Sequence, residues 1–267
     1  MSIITQAKRV VVKVGTSTLT YENGKMNLRR IESLCKVLSG LQNSGMEIIL
    51  VSSGAVGVGM GRLGIPKRPT EMEKKQAIAA VGQCELMLIY NKLFGEYNQI
   101  VAQILLTADD VASETSRQNI ENTFLELIHM GIIPVVNEND TIATHEMQEN
   151  NFGDNDTLSA FVATLLGADL LLILTDIDGL YNDNPRTNPQ ARRIPVVDRI
   201  TPQIHDLAGC AGSARGTGGM VTKVHAAEIA TAKGIPCCVM SGVFPQDIYR
   251  LFDGEQIGTL FLASPKS

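Results

Sequence analysis

Seven short apolar runs recur along the chain, at 9–14 (RVVVKV), 47–52 (EIILVS), 100–106 (IVAQILL), 132–136 (IIPVV), 170–174 (LLLIL), 235–240 (IPCCVM) and 259–262 (TLFL). Most are Val, Ile and Leu without polar alternation. That is how a strand buried on both faces reads, so a mostly parallel sheet covered by helices is predicted. The segments between carry helical signals. Asn27 can cap a helix with apolar residues at Leu28, Ile31, Leu34, Cys35, Leu38 and Leu41, and Gly45 is its stop. Ser116 can cap a second, with Ile120, Phe124, Leu127 and Ile128 on one face and Gly131 at its end. Further helices are predicted over 157–166 and, before Gly234 and Pro236, over about 220–233. Strands alternating with helices through short connections predict right-handed crossovers. The fold class is α/β, a three-layer α/β/α sandwich with a mostly parallel central sheet.

Composition narrows the function classes. The chain has 267 residues, enough for one large domain or two lobes sharing a sheet. Its 44% hydrophobic and 19% charged content is that of an ordered globular chain, and no apolar run reaches the length of a membrane span. A net charge of −5 argues against nucleic acid, which needs a basic face. A small phosphate needs only two or three local cations and stays open. The five cysteines form no CxxC pair, which points to a reducing compartment. With no apolar leader before the first strand, a cytoplasmic location is expected. The four histidines are scattered without metal-ligand spacing, so no protein metal site is predicted.

In open α/β sheets ligands bind beyond the carboxyl ends of the strands. The residues there are small, polar or charged: Lys13 to Ser17, Ser52 to Ala55, Asn137 to Asp140, Thr175 to Gly179, and Ser241-Gly242. The loop Gly216-Thr217-Gly218-Gly219 leads into Met220-Val221-Thr222-Lys223. Glycines and a helix N-terminus present backbone N–H groups to an anion, and a lysine so early in a helix opposes the helix dipole unless a phosphate lies there. The plainer reading is a flexible loop with a surface lysine. Lys13 sits inside an apolar strand and needs solvent or an anion at its tip. With Lys223 it suggests a two-lysine clamp on a transferring phosphoryl group. Asp154-Asn155-Asp156 exceeds what one helix cap requires, and the extra carboxylate could hold the lysines or a ligand amine. Asn137-Glu138-Asn139-Asp140 could bind the charged ends of a small zwitterion, or be an Asx-rich turn. Gly59-Met60-Gly61-Arg62-Leu63-Gly64 matches a dinucleotide fingerprint but starts too far from its strand and precedes Pro66, so a nicotinamide dehydrogenase is rejected.

Taken in order, VVVKVGTSTL, VSSGAVGVGMGRLG, VVNENDT, FGDNDTLSA, LLILTDIDGLYNDNPRTNP and GTGGMVTK resemble the amino acid kinase family, through almost the whole chain. VSSGAVGVGMGRLG with NEND and GDND resembles in particular its members that phosphorylate glutamate. The resemblance implies transfer of the ATP γ-phosphoryl group to the side-chain carboxylate of L-glutamate, giving L-glutamyl 5-phosphate, the first step of proline synthesis. It implies Lys13, Gly15, Thr175, Asp176 and the stretch Thr217, Gly218, Gly219, Met220, Val221, Thr222, Lys223 around ATP. Ser53, Asp140 and Asn155, with Asn137 and Asp154 beside them, would bind glutamate, and Asp156 would orient Lys13 and Lys223. It further implies Mg²⁺ held mainly by the phosphates, proline as feedback inhibitor and a homo-oligomer, dimer or tetramer. The expected division is an amino-acid-binding lobe over about 1–168 and an ATP-binding lobe over 169–267. Many such enzymes carry a C-terminal PUA domain, and this chain resembles the form without it, which removes the reason to expect RNA contact. The competing readings are a sister kinase acting on N-acetylglutamate, aspartate, carbamate or UMP, or a non-catalytic sensor of ATP or amino acids.

Overall fold

The computed structural model describes residues 2–21, 23–143, 154–210 and 219–263. In chain order the elements are α1 (Ser2–Thr5), β1 (Arg9–Val14), α2 (Thr16–Leu19), α3 (Leu28–Asn43), β2 (Glu47–Val51), α4 (Ala55–Leu63) and α5 (Met72–Gly95). Then follow β3 (Val101–Leu106), α6 (Ala108–Ala112), α7 (Glu114–His129), β4 (Ile133–Glu138), α8 (Asn155–Leu165) and β5 (Leu170–Thr175). The last are β6 (Val196–Val197), α9 (Pro202–Cys210), α10 (Met220–Ala232), β7 (Cys237–Ser241), α11 (Asp247–Phe252) and β8 (Thr259–Phe261).

One eight-stranded sheet runs in the order β3-β4-β2-β1-β5-β7-β8-β6. Every pairing is parallel except β7 with β8. Seven strands stand where the apolar runs predict them. The eighth, β6, is two residues long, too short to leave a periodic signal. Strand alternation divides the core in two. Val10, Val12 and Val14 of β1 face the layer that holds Leu34, Leu38, Ile78, Leu86 and Phe94, from α3 and α5. Val11 faces Leu158, Val162, Val224 and Ala227, from α8 and α10. Lys13, two residues on from Val11, therefore projects on the α8/α10 side, between Val51 of β2 and Ile173 of β5.

Two expectations need correction. The helix predicted to open at Ser116 starts earlier, because Ser113 is the cap: its hydroxyl accepts the Ser116 N–H at 3.3 Å. Burial on both faces also fails for β3, the edge strand, where Gln103 is exposed and most of its neighbours are half-buried. The rejected GxGxxG spans the second half of α4 and its left-handed C-cap, Gly64, and has a packing role instead. A Cβ on Gly59 would fall on the Ile78 carbonyl oxygen, and one on Gly82 of α5 on that of Ala55. Bare backbones let α4 and α5 touch, which no side chain would allow. Among the described residues no helix is long and apolar enough to cross a membrane.

Candidate active site

Two helix starts meet over the carboxyl edge of the sheet. Asp154 caps α8, its Oδ1 accepting the Thr157 N–H at 2.8 Å. That contact accounts for Asp154 as an ordinary cap and leaves Asn155 and Asp156 in the first helical turn. Successive helical residues point about 100° apart, so the two side chains reach different places.

Asp156 reaches the lysines. Its Oδ1 lies 2.7 Å from Lys13 Nζ and its Oδ2 lies 3.1 Å from Lys223 Nζ. The Thr222 hydroxyl, one residue before Lys223 in α10, donates to Oδ2 at 2.7 Å. All three charged side chains are buried, at 8%, 2% and 7% exposure for Lys13, Asp156 and Lys223. Burial pulls the Lys13 pKa down; Asp156 pulls it back up, while Lys223 adds to the fall. Burial pushes the Asp156 carboxyl up, but Lys13 and Lys223 outweigh it and hold the acid below its ordinary range. Both buried ammonium groups share the Asp156 carboxylate, which sets two positive charges side by side where one anion can meet both. Gly15 adds no side chain over this spot: a Cβ there would sit 3.6 Å from Lys13 Nζ.

Asn155 turns the other way. Its Nδ2 donates to Ser53 Oγ at 3.0 Å and to Asn137 Oδ1 at 3.1 Å. Ser53 follows β2 and Asn137 belongs to β4, so one amide ties two strand ends together. Gly54 takes the left-handed conformation (φ 89°) that lets the chain turn from Ser53 straight into α4. Beside this cluster are acids. Burial raises the Glu138 carboxyl to about 7, with the charges of Asp140 and Asp154 adding to it. Burial raises Asp140 too, opposed by the Arg68 guanidinium. Sequence reasoning grouped Glu138 with its neighbours but did not single it out. Its signal was available: an acid within the last turn-in of a buried strand, two residues from a second acid.

The nucleoside end is looser. Thr175 closes β5 and its hydroxyl donates to Asp176 Oδ1 at 3.2 Å. Asp176 Oδ2 is held by Arg186 at 3.1 Å, from the exposed loop that follows. Gly219 caps α10, whose first turn holds Met220, Val221 and Thr222. Thr217 and Gly218 lie outside the described residues. Thus the structure brings Lys13, Asp156, Lys223 and Thr222 into one contact group, and Ser53, Asn137 and Asn155 into a second. Asp140 approaches Arg68 instead.

The amino acid kinase family profile matches residues 8–241. A glutamate 5-kinase of Clostridium perfringens is 56% identical over 258 residues, covering 96% of this chain and 96% of that protein. One from Listeria monocytogenes is 53% identical over 256 residues, covering 96% and 93%. In structure, a carbamate kinase from Giardia lamblia bound to AMP-PNP superposes with a TM-score of 0.68 at 16% identity, over 97% of this chain and 100% of that one.

Proposed function

The chain belongs to the amino acid kinase family, and from that premise we propose that it is a glutamate 5-kinase, passing the γ-phosphoryl group of ATP to the side-chain carboxylate of L-glutamate. The observation behind this reading is the pair Asn155 and Asp156. One short helical turn addresses an acceptor cluster with one side chain and a phosphoryl clamp with the next.

A carboxylate is already ionised near pH 7, so no general base is needed. One carboxylate oxygen bonds to Pγ while the bond from Pγ to the β–γ bridging oxygen breaks, and ADP leaves with the electron pair. The barrier is repulsion between two anions brought into line. Lys13 and Lys223 lower it by facing the transferring group with positive charge that is already desolvated. Asp156 keeps the two ammonium groups from repelling each other apart. The N–H groups that open α10 add donors on the phosphate side. Mg²⁺ would arrive on the ATP phosphates and neutralise charge there. Among the described residues no three acids, thiols or imidazoles gather to hold a metal, so no protein ligand is assigned. Ser53, Asn137 and Asn155, with Asp140 and Asp154 nearby, would position glutamate. Gly15, Thr175, Asp176 and the start of α10 would hold the nucleotide. Residues to about 168 would then serve the acceptor and those from 169 the donor, with Lys13 crossing over. A cytoplasmic homo-oligomer inhibited by proline belongs to the same reading.

The test is direct. With L-glutamate, ATP, Mg²⁺ and hydroxylamine, the protein should form γ-glutamyl hydroxamate and ADP in equal amounts. Faster ADP release with UMP, aspartate, carbamate or N-acetylglutamate would overturn the assignment.

A further inference from the structure

A chain of side-chain amides runs from the outer edge of the sheet to the acceptor cluster. Gln103 of β3 accepts from Gln83 Nε2 at 2.9 Å, and Gln83 Oε1 on α5 accepts from Asn137 Nδ2 at 2.8 Å. Asn137 Oδ1 accepts from Asn155 Nδ2 at 3.1 Å. Amide groups can be turned end for end at little steric cost, so something must decide which way each one faces. Here one backbone group does. The Glu138 N–H lies 2.9 Å from the Asn137 side chain and can only donate, so the atom facing it must be Oδ1. Asn137 Nδ2 must then donate outward, and Gln83 must meet it with oxygen. On the other side Asn155 must meet Asn137 with nitrogen, and its second N–H goes to Ser53. Both Asn155 donors are consumed. Asn155 Oδ1 is left buried, with no hydrogen-bond partner among the described residues. A buried acceptor without a donor is costly, so the amide chain creates a demand for one N–H donor at this spot.

We infer that Gln83 is a positioning residue for the acceptor site: it locks Asn137, and through it Asn155, so that Asn155 Oδ1 accepts from the α-ammonium of the amino-acid substrate. This rests on the glutamate 5-kinase reading, in which the α-ammonium is the only N–H group that an ionised glutamate offers. Gln83 is itself 9% exposed and touches no substrate in this scheme. The Glu138 N–H sets the direction of Asn137, and Gln83 Oε1, by accepting from Asn137 Nδ2, adds a second hold against the alternative in which Asn137 turns over, Asn155 turns with it, and the site presents an N–H to the ammonium.

The experiment compares L-glutamate with glutarate, which keeps both carboxylates and lacks the amino group. Gln83→Leu should raise the KM for L-glutamate about tenfold, while kcat and the KM for ATP change by less than about threefold. The preference for L-glutamate over glutarate, as a ratio of kcat/KM, should fall about tenfold. Gln83→Glu keeps an acceptor facing Asn137 and should restore most of that ratio. Gln103→Met, at the exposed end of the chain, should move the ratio in the same direction by a smaller factor and serves if Gln83→Leu does not fold. A Gln83→Leu enzyme whose selectivity ratio matches the parent's, or equal losses on both substrates, would overturn the inference while leaving the kinase assignment intact. A parent protein that does not phosphorylate L-glutamate removes the assignment itself, and the inference with it.

Discussion

At the scale of single residues, the site is governed by what burial does to charge. Lys223→Ala should lower kcat by roughly 100–1000-fold, the loss expected for one preorganised charge stabiliser. Asp156→Asn should fall in the same range, because the lysines lose the anion that holds them. It should also cost about 3–5 kcal/mol of stability, as removal of one partner from a buried ion group does. The pH dependence separates this from ordinary damage. Without Asp156 the already lowered Lys13 pKa falls further, so the folded state binds fewer protons than the unfolded one over the window up to 10.5. Stability then rises with pH across that window. Urea denaturation at pH 7 and pH 9 should show the deficit of Asp156→Asn shrinking at the higher pH.

Glu138 runs the opposite way. Its folded value of about 7 lies above the ordinary 4.5, so between those values the folded chain holds a proton that the unfolded chain has released. Stability therefore declines as pH rises through that window and is constant above it. Glu138→Gln should be more stable than the parent at pH 8 by about 1–2 kcal/mol, a figure reduced for its partial exposure, and level with it at pH 4.5. Equal denaturation midpoints for the two proteins at pH 8 would contradict this. Lys13, Lys223 and Asp156, which the structure brings into contact, stood out in the sequence because each broke a local rule: a lysine in an apolar strand, a lysine in a first turn, one acid too many at a cap. Gln83 breaks no rule. A glutamine in a helix is ordinary until its partner is seen.

At the scale of elements, the contact between α4 and α5 places Ser53, since α4 begins two residues after it. Gly82→Ala should drive the helices apart, because the new methyl meets the Ala55 carbonyl rather than a movable side chain. A loss of about 1–3 kcal/mol is expected, with a raised glutamate KM as the second sign. Gly95→Ala, at the end of α5 in open space, is the control and should gain about 0.5–1 kcal/mol. Denaturant midpoints for the pair decide the matter. The strands were readable because buried parallel strands are continuous apolar runs. Helix starts were less so: Ser113 and Ser116 are equally good caps by type, and only the hydrogen bond between them tells which one acts. The glycines of α4 match a dinucleotide fingerprint in spacing alone, which their distance from β2 already told against, and their neighbour is another helix.

At the scale of the whole molecule, two buried ammonium groups that face the phosphates couple nucleotide binding to the stability of the entire fold. A non-hydrolysable ATP analogue at about 100 times its Kd should add about 2.7 kcal/mol, seen as a rise in melting temperature of about 5–10 °C. At that same concentration Lys223→Met should lose most of the rise while melting normally without ligand. An unchanged response to the analogue in Lys223→Met would mean that the clamp does not meet the transferring phosphate.

The order of apolar runs determined the parallel sheet, since a two-sided sheet leaves little choice of pattern, and the polar residues after each run marked which edge would bind. The tertiary structure alone decided which of those residues meet. Lys13 and Lys223 stand 210 positions apart, and only the crossing of α8 and α10 over one sheet face lets Asp156 touch both. The direction of each amide was likewise fixed only in three dimensions, because a side chain that can accept or donate takes its role from whatever fixed backbone group happens to lie opposite.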